Sequence, residues 1–125
     1  MNWLTNLQSH FQGRPEQSIE ELFQSFSLPS EVQPGDFEQA LSVFKDAYDI
    51  EPRQLRGDDP LSWFTEGPES RNPIEWYFAR SQLEDRVSDL TYHLKLARRR
   101  RRVGTMLRSP ENIREYVLAC VGIEF

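Results

Sequence analysis

Thiols are scarce: Cys120 is the one cysteine in the 125-residue chain, and one thiol excludes an intramolecular disulfide. It sits in the apolar run Tyr116–Val121, where a free cysteine behaves as a small hydrophobe, so a buried, inert thiol is expected. Histidine is almost as rare. His10 and His93 lie far apart, with no Cys or His at zinc-ligand spacing, and a catalytic cysteine would need a positioned base. Long apolar runs are missing too: Tyr116–Val121 falls well short of the ~20 residues that cross a bilayer. The start, Met1-Asn2-Trp3-Leu4, lacks the charged and apolar regions of an export signal, so the expectation is a cytoplasmic protein with no membrane contact. Gly-x-Ser-x-Gly, a phosphate-binding glycine loop and His-Glu-x-x-His are all absent. No catalytic residue, metal site or cofactor is therefore expected.

What is present fits one domain spanning residues 1–125, because a second core would have too few residues. Phe, Tyr and Trp make up 12% of the chain, which supplies bulky core material, while a mean hydropathy of −0.68 predicts a small core under a well-solvated surface. The net charge of −5 hides an asymmetry: residues 1–75 carry −9 and residues 76–125 carry +4.

Helical spacing recurs along most of the chain. Trp3, Leu4, Leu7 and Phe11 predict a short first helix ending at Gly13, with Pro15 beyond it. Ser18-Ile19-Glu20-Glu21 reads as a capping box opening a second helix, with Ile19, Leu22, Phe23 and Phe26 on one face and an end before Pro29. Pro34-Gly35 reads as a turn, and Asp36 as the cap of a third helix with Gln39 three residues on. Phe37, Ala40, Leu41, Phe44, Ala47 and Tyr48 form its stripe, the cleanest periodic signal in the chain.

Residues 50–71 are punctuated by Pro52, Gly57, Pro60, Gly67 and Pro68 and read as a long irregular loop. Ile50, Leu55, Leu61, Trp63 and Phe64 within it predict that the loop packs onto the core. Asn72-Pro73-Ile74-Glu75 is the strongest helix start, combining a cap, a proline at the first position and a closing glutamate. Trp76, Ala79, Leu83, Val87, Leu90, Leu94 and Ala97 then favour one long helix over about 73–100. Leu90, Tyr92, Leu94 and Leu96 also alternate as in a strand, so residues 88–106 admit a short strand or a break. Ser109 with Pro110 is expected to cap a last helix that buries Ile113, Tyr116, Val117 and Cys120 and ends at Gly122. The fold class is all-α, a small bundle of five or six helices.

The feature most suggestive of a partner is Arg98-Arg99-Arg100-Arg101-Arg102. Five adjacent guanidinium groups repel one another and need counter-charges or full solvation. Arginine grips phosphate and carboxylate through two hydrogen bonds at once. The same run also suits a helix C-terminus, whose dipole favours cations, set against the acidic first half. The acidic balance and the lack of interleaved aromatics count against nucleic acid. Asp58, Asp59, Glu66 and Glu69 crowd the irregular loop but lack the alternation of a calcium loop, so a solvated acidic loop is expected. Trp3 and Trp76 read as core. Trp63 and Phe64, paired in the loop, are either tucked beneath it, the favoured reading, or exposed as a docking anchor.

From residue 37 onward the order of elements resembles the acyl-carrier-protein fold. Phe37–Tyr48 would be its first helix, Asp49-Ile50-Glu51-Pro52-Arg53-Gln54-Leu55 its post-helix segment, Asn72-Pro73-Ile74-Glu75 the start of its second helix, and Ser109–Val121 its last. The resemblance implies that the serine bearing phosphopantetheine falls at Pro73, which has no nucleophile. Ser62 and Ser70 lie nearby without the Asp-Ser-Leu context, so it implies a relative with no prosthetic group.

The sequence thus points to a non-enzymatic helical interaction module that binds an acidic protein surface or phosphate groups. Arg98, Arg99, Arg100, Arg101, Arg102, Trp63 and Phe64 are its candidate partner residues. Nucleic-acid binding through the same arginines and a degenerate acyl-carrier-like protein are the alternatives. Oligomeric state is left open.

Overall fold

The computed structural model describes residues 3–65, 83–92, 109–123 and 125, and within them the helix starts at Ser18 and Asn112 carry a side-chain cap. Helix α1 covers Trp3–Ser9, and turns continue through Gly13, whose φ of +82° suits a residue without a Cβ. Helix α2 covers Ile19–Ser25. The Glu21 N–H donates to the Ser18 hydroxyl oxygen at 3.1 Å, as the capping box predicts. The Glu21 carboxylate accepts from that same hydroxyl at 3.0 Å rather than from the cap's N–H.

Helix α3, Pro34–Tyr48, starts two residues before Asp36, because Pro34 takes the first helical position instead of making a turn. Asp36 therefore serves three residues inside the cap, where its carboxylate accepts from the Gln33 N–H at 3.3 Å. The helix ends with Asp49 left-handed at φ +54° and with the Ile50 N–H donating to the Phe44 carbonyl at 3.1 Å.

The irregular segment that follows is folded onto the core as expected. It contains a 3₁₀ turn at Pro52–Gln54 and a short helix α4 at Ser62–Thr65, and it buries Ile50, Leu55, Leu61 and Phe64. Residues 83–92 form helix α5. Leu90 is buried while Tyr92 is 59% exposed, since residues two apart on a helix face nearly opposite ways. The alternation that admitted a strand is thus overruled across 88–92; its remainder, 93–106, lies outside the described residues.

Helix α6, Ile113–Val121, begins three residues later than Ser109-Pro110 implies. Residues 111–114 are held against the loop instead. The Leu61 N–H donates to the Glu111 carbonyl at 2.9 Å, Ile113 N–H to Asp59 carbonyl at 3.2 Å, and Arg114 N–H to Gly57 carbonyl at 3.0 Å. Asn112 caps the helix by accepting from the Glu115 N–H at 2.8 Å, and Gly122 closes it at φ +79°. A Cβ on Gly57 would stand 3.4 Å from the Arg114 Cβ and 3.5 Å from the Phe26 ring, so the close approach of loop and helix suits glycine.

The chain is mostly helical, and the described residues contain no strand, only an isolated antiparallel bridge between Pro60 and Asn112. Their buried side chains form one cluster centred on Phe44. Its ring meets Phe64 edge-on at 4.9 Å and Tyr116 edge-on at 5.5 Å, so α3, α4 and α6 share one aromatic contact. Both buried tyrosines retain a partner for the hydroxyl: Tyr48 donates to the Phe64 carbonyl at 2.9 Å and Tyr116 to the Leu90 carbonyl at 3.0 Å. The Asn72-Pro73 helix start, Trp76 and the side chain of Trp3 lie outside the described residues.

Phe44→Ala should cost about 3–5 kcal/mol of stability, and Asn112→Ala about 1 kcal/mol, in urea unfolding followed by circular dichroism.

Candidate functional site

A buried carboxylate organises the best-defined polar cluster. Asp59 is 5% exposed, and one of its oxygens accepts from the Arg56 N–H at 2.7 Å and from the Arg14 guanidinium at 2.7 Å. A buried charge is tolerated only when paired and hydrogen-bonded, and this one is both. Arg14 also donates to the Gln54 carbonyl at 3.1 Å, while the Gln54 amide returns a bond to the Arg14 carbonyl at 3.1 Å. The Arg14 guanidinium sits 5.1 Å over the Phe11 ring. Arg56 reaches the Pro15 carbonyl at 2.6 Å, and Arg53 reaches that of Gln17 at 3.0 Å. The expectation of a solvated acidic loop is therefore corrected at Asp59, which with Arg53 and Arg56 fastens residues 14–17 to residues 53–59. Asp58 beside it is exposed, and Glu66 and Glu69 lie outside the described residues.

The sequence-predicted partner residues are not gathered into one surface. Phe64 is fully buried among Phe11, Phe44 and Tyr48, at 5.7, 4.9 and 5.1 Å between ring centroids. It cannot serve as an exposed anchor, because its ring fills the aromatic centre of the core. Trp63 is half-buried: the His10 ring stacks on it at 4.5 Å, and Phe11 meets it edge-on at 5.8 Å. Arg98, Arg99, Arg100, Arg101 and Arg102 lie outside the described residues, as does His93.

Two concavities went unread in the sequence. A cleft of about 500 Å³ opens between α4, α5 and residues 109–111, floored by Leu61, Val87, Leu90 and Tyr116. Three of its hydroxyls are already committed to main-chain carbonyls: Thr65 to Leu61, Thr91 to Val87 and Tyr116 to Leu90. A smaller groove of about 150 Å³ runs between α2 and α3, walled by Ile19, Phe23, Pro34 and Phe37 with Glu20 and Glu38 alongside. Its components are visible in the sequence as the i, i+4 pair Ile19/Phe23 and the nearby acids. Their meeting with Phe37 depends on the bend after Phe26, where Ser27 is left-handed at φ +49°.

Among the described residues no group of three His, Cys, Asp or Glu side chains comes together to hold a metal ion, and no helix is long and apolar enough to cross a membrane. Cys120 packs on the core from α6. Burial pushes its thiol up to about 12, opposed in part by a hydrogen bond with Tyr116. Burial likewise raises the Tyr48 and Tyr116 hydroxyls well above the ordinary phenol value.

No family model matches the chain, and none of the curated proteins or solved structures does.

Asp59→Asn should destabilise the fold by about 1.5–3 kcal/mol, the range for a hydrogen bond to a charged group. The exposed control Asp58→Asn should stay within about 0.5 kcal/mol of the parent in the same urea titration. The raised thiol and phenols set the sign of an alkaline transition. The native state keeps these protons longer than the unfolded chain, so stability is complete at neutral pH and falls as pH rises past the ordinary values of about 8.5 and about 10. Melting temperatures should therefore drop between about pH 8 and about pH 10.5, less steeply in Cys120→Ala.

Proposed function

We propose that the protein is a small, non-enzymatic, single-domain interaction module of the cytoplasm whose Arg98–Arg102 run binds an acidic protein surface or phosphate groups. One observation carries this reading: the cations of the described residues are already engaged. Arg14 binds Asp59 and a carbonyl, and Arg53 and Arg56 bind carbonyls of the N-terminal segment. Arg114 binds the carbonyls of Phe26 and Ser27 at 2.7 and 3.1 Å. Lys45 pairs with Asp49 at 3.1 Å, and Arg86 has a partner as well. Their donor groups are met within the chain, and the densest run of further cations is Arg98–Arg102.

A protein partner is favoured over nucleic acid by the rest of the surface. Glu20, Glu21, Glu31, Glu38, Asp46 and Asp58 are exposed on the described scaffold, and they would repel a polyanion approaching along it. An acyl-carrier-like scaffold without its prosthetic group is compatible with the same module, since the reading assigns no chemistry to Ser62 or Ser70.

Replacing Arg99, Arg100 and Arg101 together with Gln should weaken capture of a fluorescent glutamate-rich peptide at least about tenfold, while the helical circular-dichroism signal and melting temperature hold. A stability loss of several kcal/mol would instead make the run structural and defeat the proposal. A steep salt dependence on a duplex oligonucleotide, with stronger binding than to the peptide, would transfer the reading to nucleic acid.

A further inference from the structure

The α2–α3 groove and the arginine run have matching chemistry. Residues 18–44 carry five acids, Glu20, Glu21, Glu31, Asp36 and Glu38, and no Lys, Arg or His. Residues 93–108 carry seven Lys and Arg and no acid, and they set Leu94, Leu96, Val103 and Leu107 among those cations. The groove offers the complement: an apolar pocket of about 150 Å³, enough for one or two aliphatic side chains, with the exposed Glu20 and Glu38 beside it. Its apolar wall is braced from behind, since Phe37 is fully buried and meets Phe23 edge-on at 5.3 Å. An aliphatic side chain seated there would bring neighbouring guanidinium groups to the two carboxylates, combining apolar burial with charge-assisted hydrogen bonds.

We infer that this groove receives the basic 93–108 segment of a second copy of the chain, so that the molecules associate head to tail. The inference rests on the reading that Arg98–Arg102 faces a partner, and it names that partner's surface. The rival occupant is the same segment of the same chain, which would leave the molecule monomeric at every concentration. Thr91 and Ser109, at the two ends of the segment, line the cleft floored by Tyr116, beside Phe44 in the C-terminal half of α3. The groove instead flanks Phe37, seven residues and about 10 Å back along that helix, and shares no residue with the cleft. Because the two contacting surfaces differ, the contact is heterologous: it builds rings if the rotation closes and open chains if it does not.

Sedimentation equilibrium on the full chain tests this. At about 20 mM salt the average mass should rise above the monomer with concentration, and at about 0.5 M salt it should return towards it, because screening shortens the reach of exposed charges. Glu20→Lys with Glu38→Lys should abolish assembly, and so should Arg99, Arg100 and Arg101 replaced by Gln; helical circular dichroism checks that both variants fold. An equimolar mixture of the two should give dimers and nothing larger, since each retains the half that the other lost. A wild-type chain that stays monomeric up to about 1 mM at low salt would overturn the inference, as would assembly indifferent to the Glu20/Glu38 change. A monomer that still captures the glutamate-rich peptide leaves the interaction module standing without self-association. Loss of both defeats the two together.

Discussion

The buried Asp59 carboxylate is the constraint around which the loop takes shape. An ionised group taken out of water must be met by donors, and here they come from separate stretches of chain, the Arg56 main chain and the Arg14 side chain. The Asp59 carbonyl then accepts from the Ile113 N–H at 3.2 Å, so one residue joins the N-terminal segment, the loop and the start of α6. The five residues ahead of α4 are thereby held in one conformation without a strand or a helix. With the loop fixed, Phe64 can reach the Phe44 ring and leave its carbonyl to Tyr48.

The polar clasp and the aromatic core depend on each other. Phe11 belongs to both: it packs against Phe64 at 5.7 Å and lies under the Arg14 guanidinium at 5.1 Å. Arg14, Arg56 and Arg114 are only partly buried and Arg53 is exposed, yet all four are spent on acceptors of the chain itself. Its arginines serve as long donors that satisfy loop carbonyls, a task that a planar fork of N–H groups performs better than an ammonium. Their engagement leaves the outer face of α2 and α3 acidic, and on that face the groove between the two helices lies.

Much of the helical architecture was legible because capping chemistry is local. Ser18, the Phe37–Tyr48 stripe and the Gly122 stop can be read from a few neighbouring residues, and the structure bears them out. Asp36 and Ser109 misled for a shared reason. Each is a sound cap in isolation, but Pro34 could start its helix earlier, and residues 111–114 were claimed by hydrogen bonds to the loop. Asp59 was illegible because its partners lie 45 residues away at Arg14 and in the main chain. Phe64 and Trp63 could not be separated by pattern, as irregular backbone has no period to say which neighbour turns inward. The groove stayed hidden because it needs two helices, and the sequence shows only its separate components, the Ile19/Phe23 pair and the acids around it.

Arg114 has a consequence for how the molecule is made. Its guanidinium closes the end of α2 on the carbonyls of Phe26 and Ser27, across sequence separations of 88 and 87 residues. A nascent chain emerging from the ribosome can form α2 and α3 early, since their contacts are local. It cannot seal the end of α2 in this way, nor anchor the Asp59 carbonyl, until α6 has been synthesised. Until then the aromatic centre lacks Tyr116 and stays partly open to water, so α6 acts as the closing stitch of this fold.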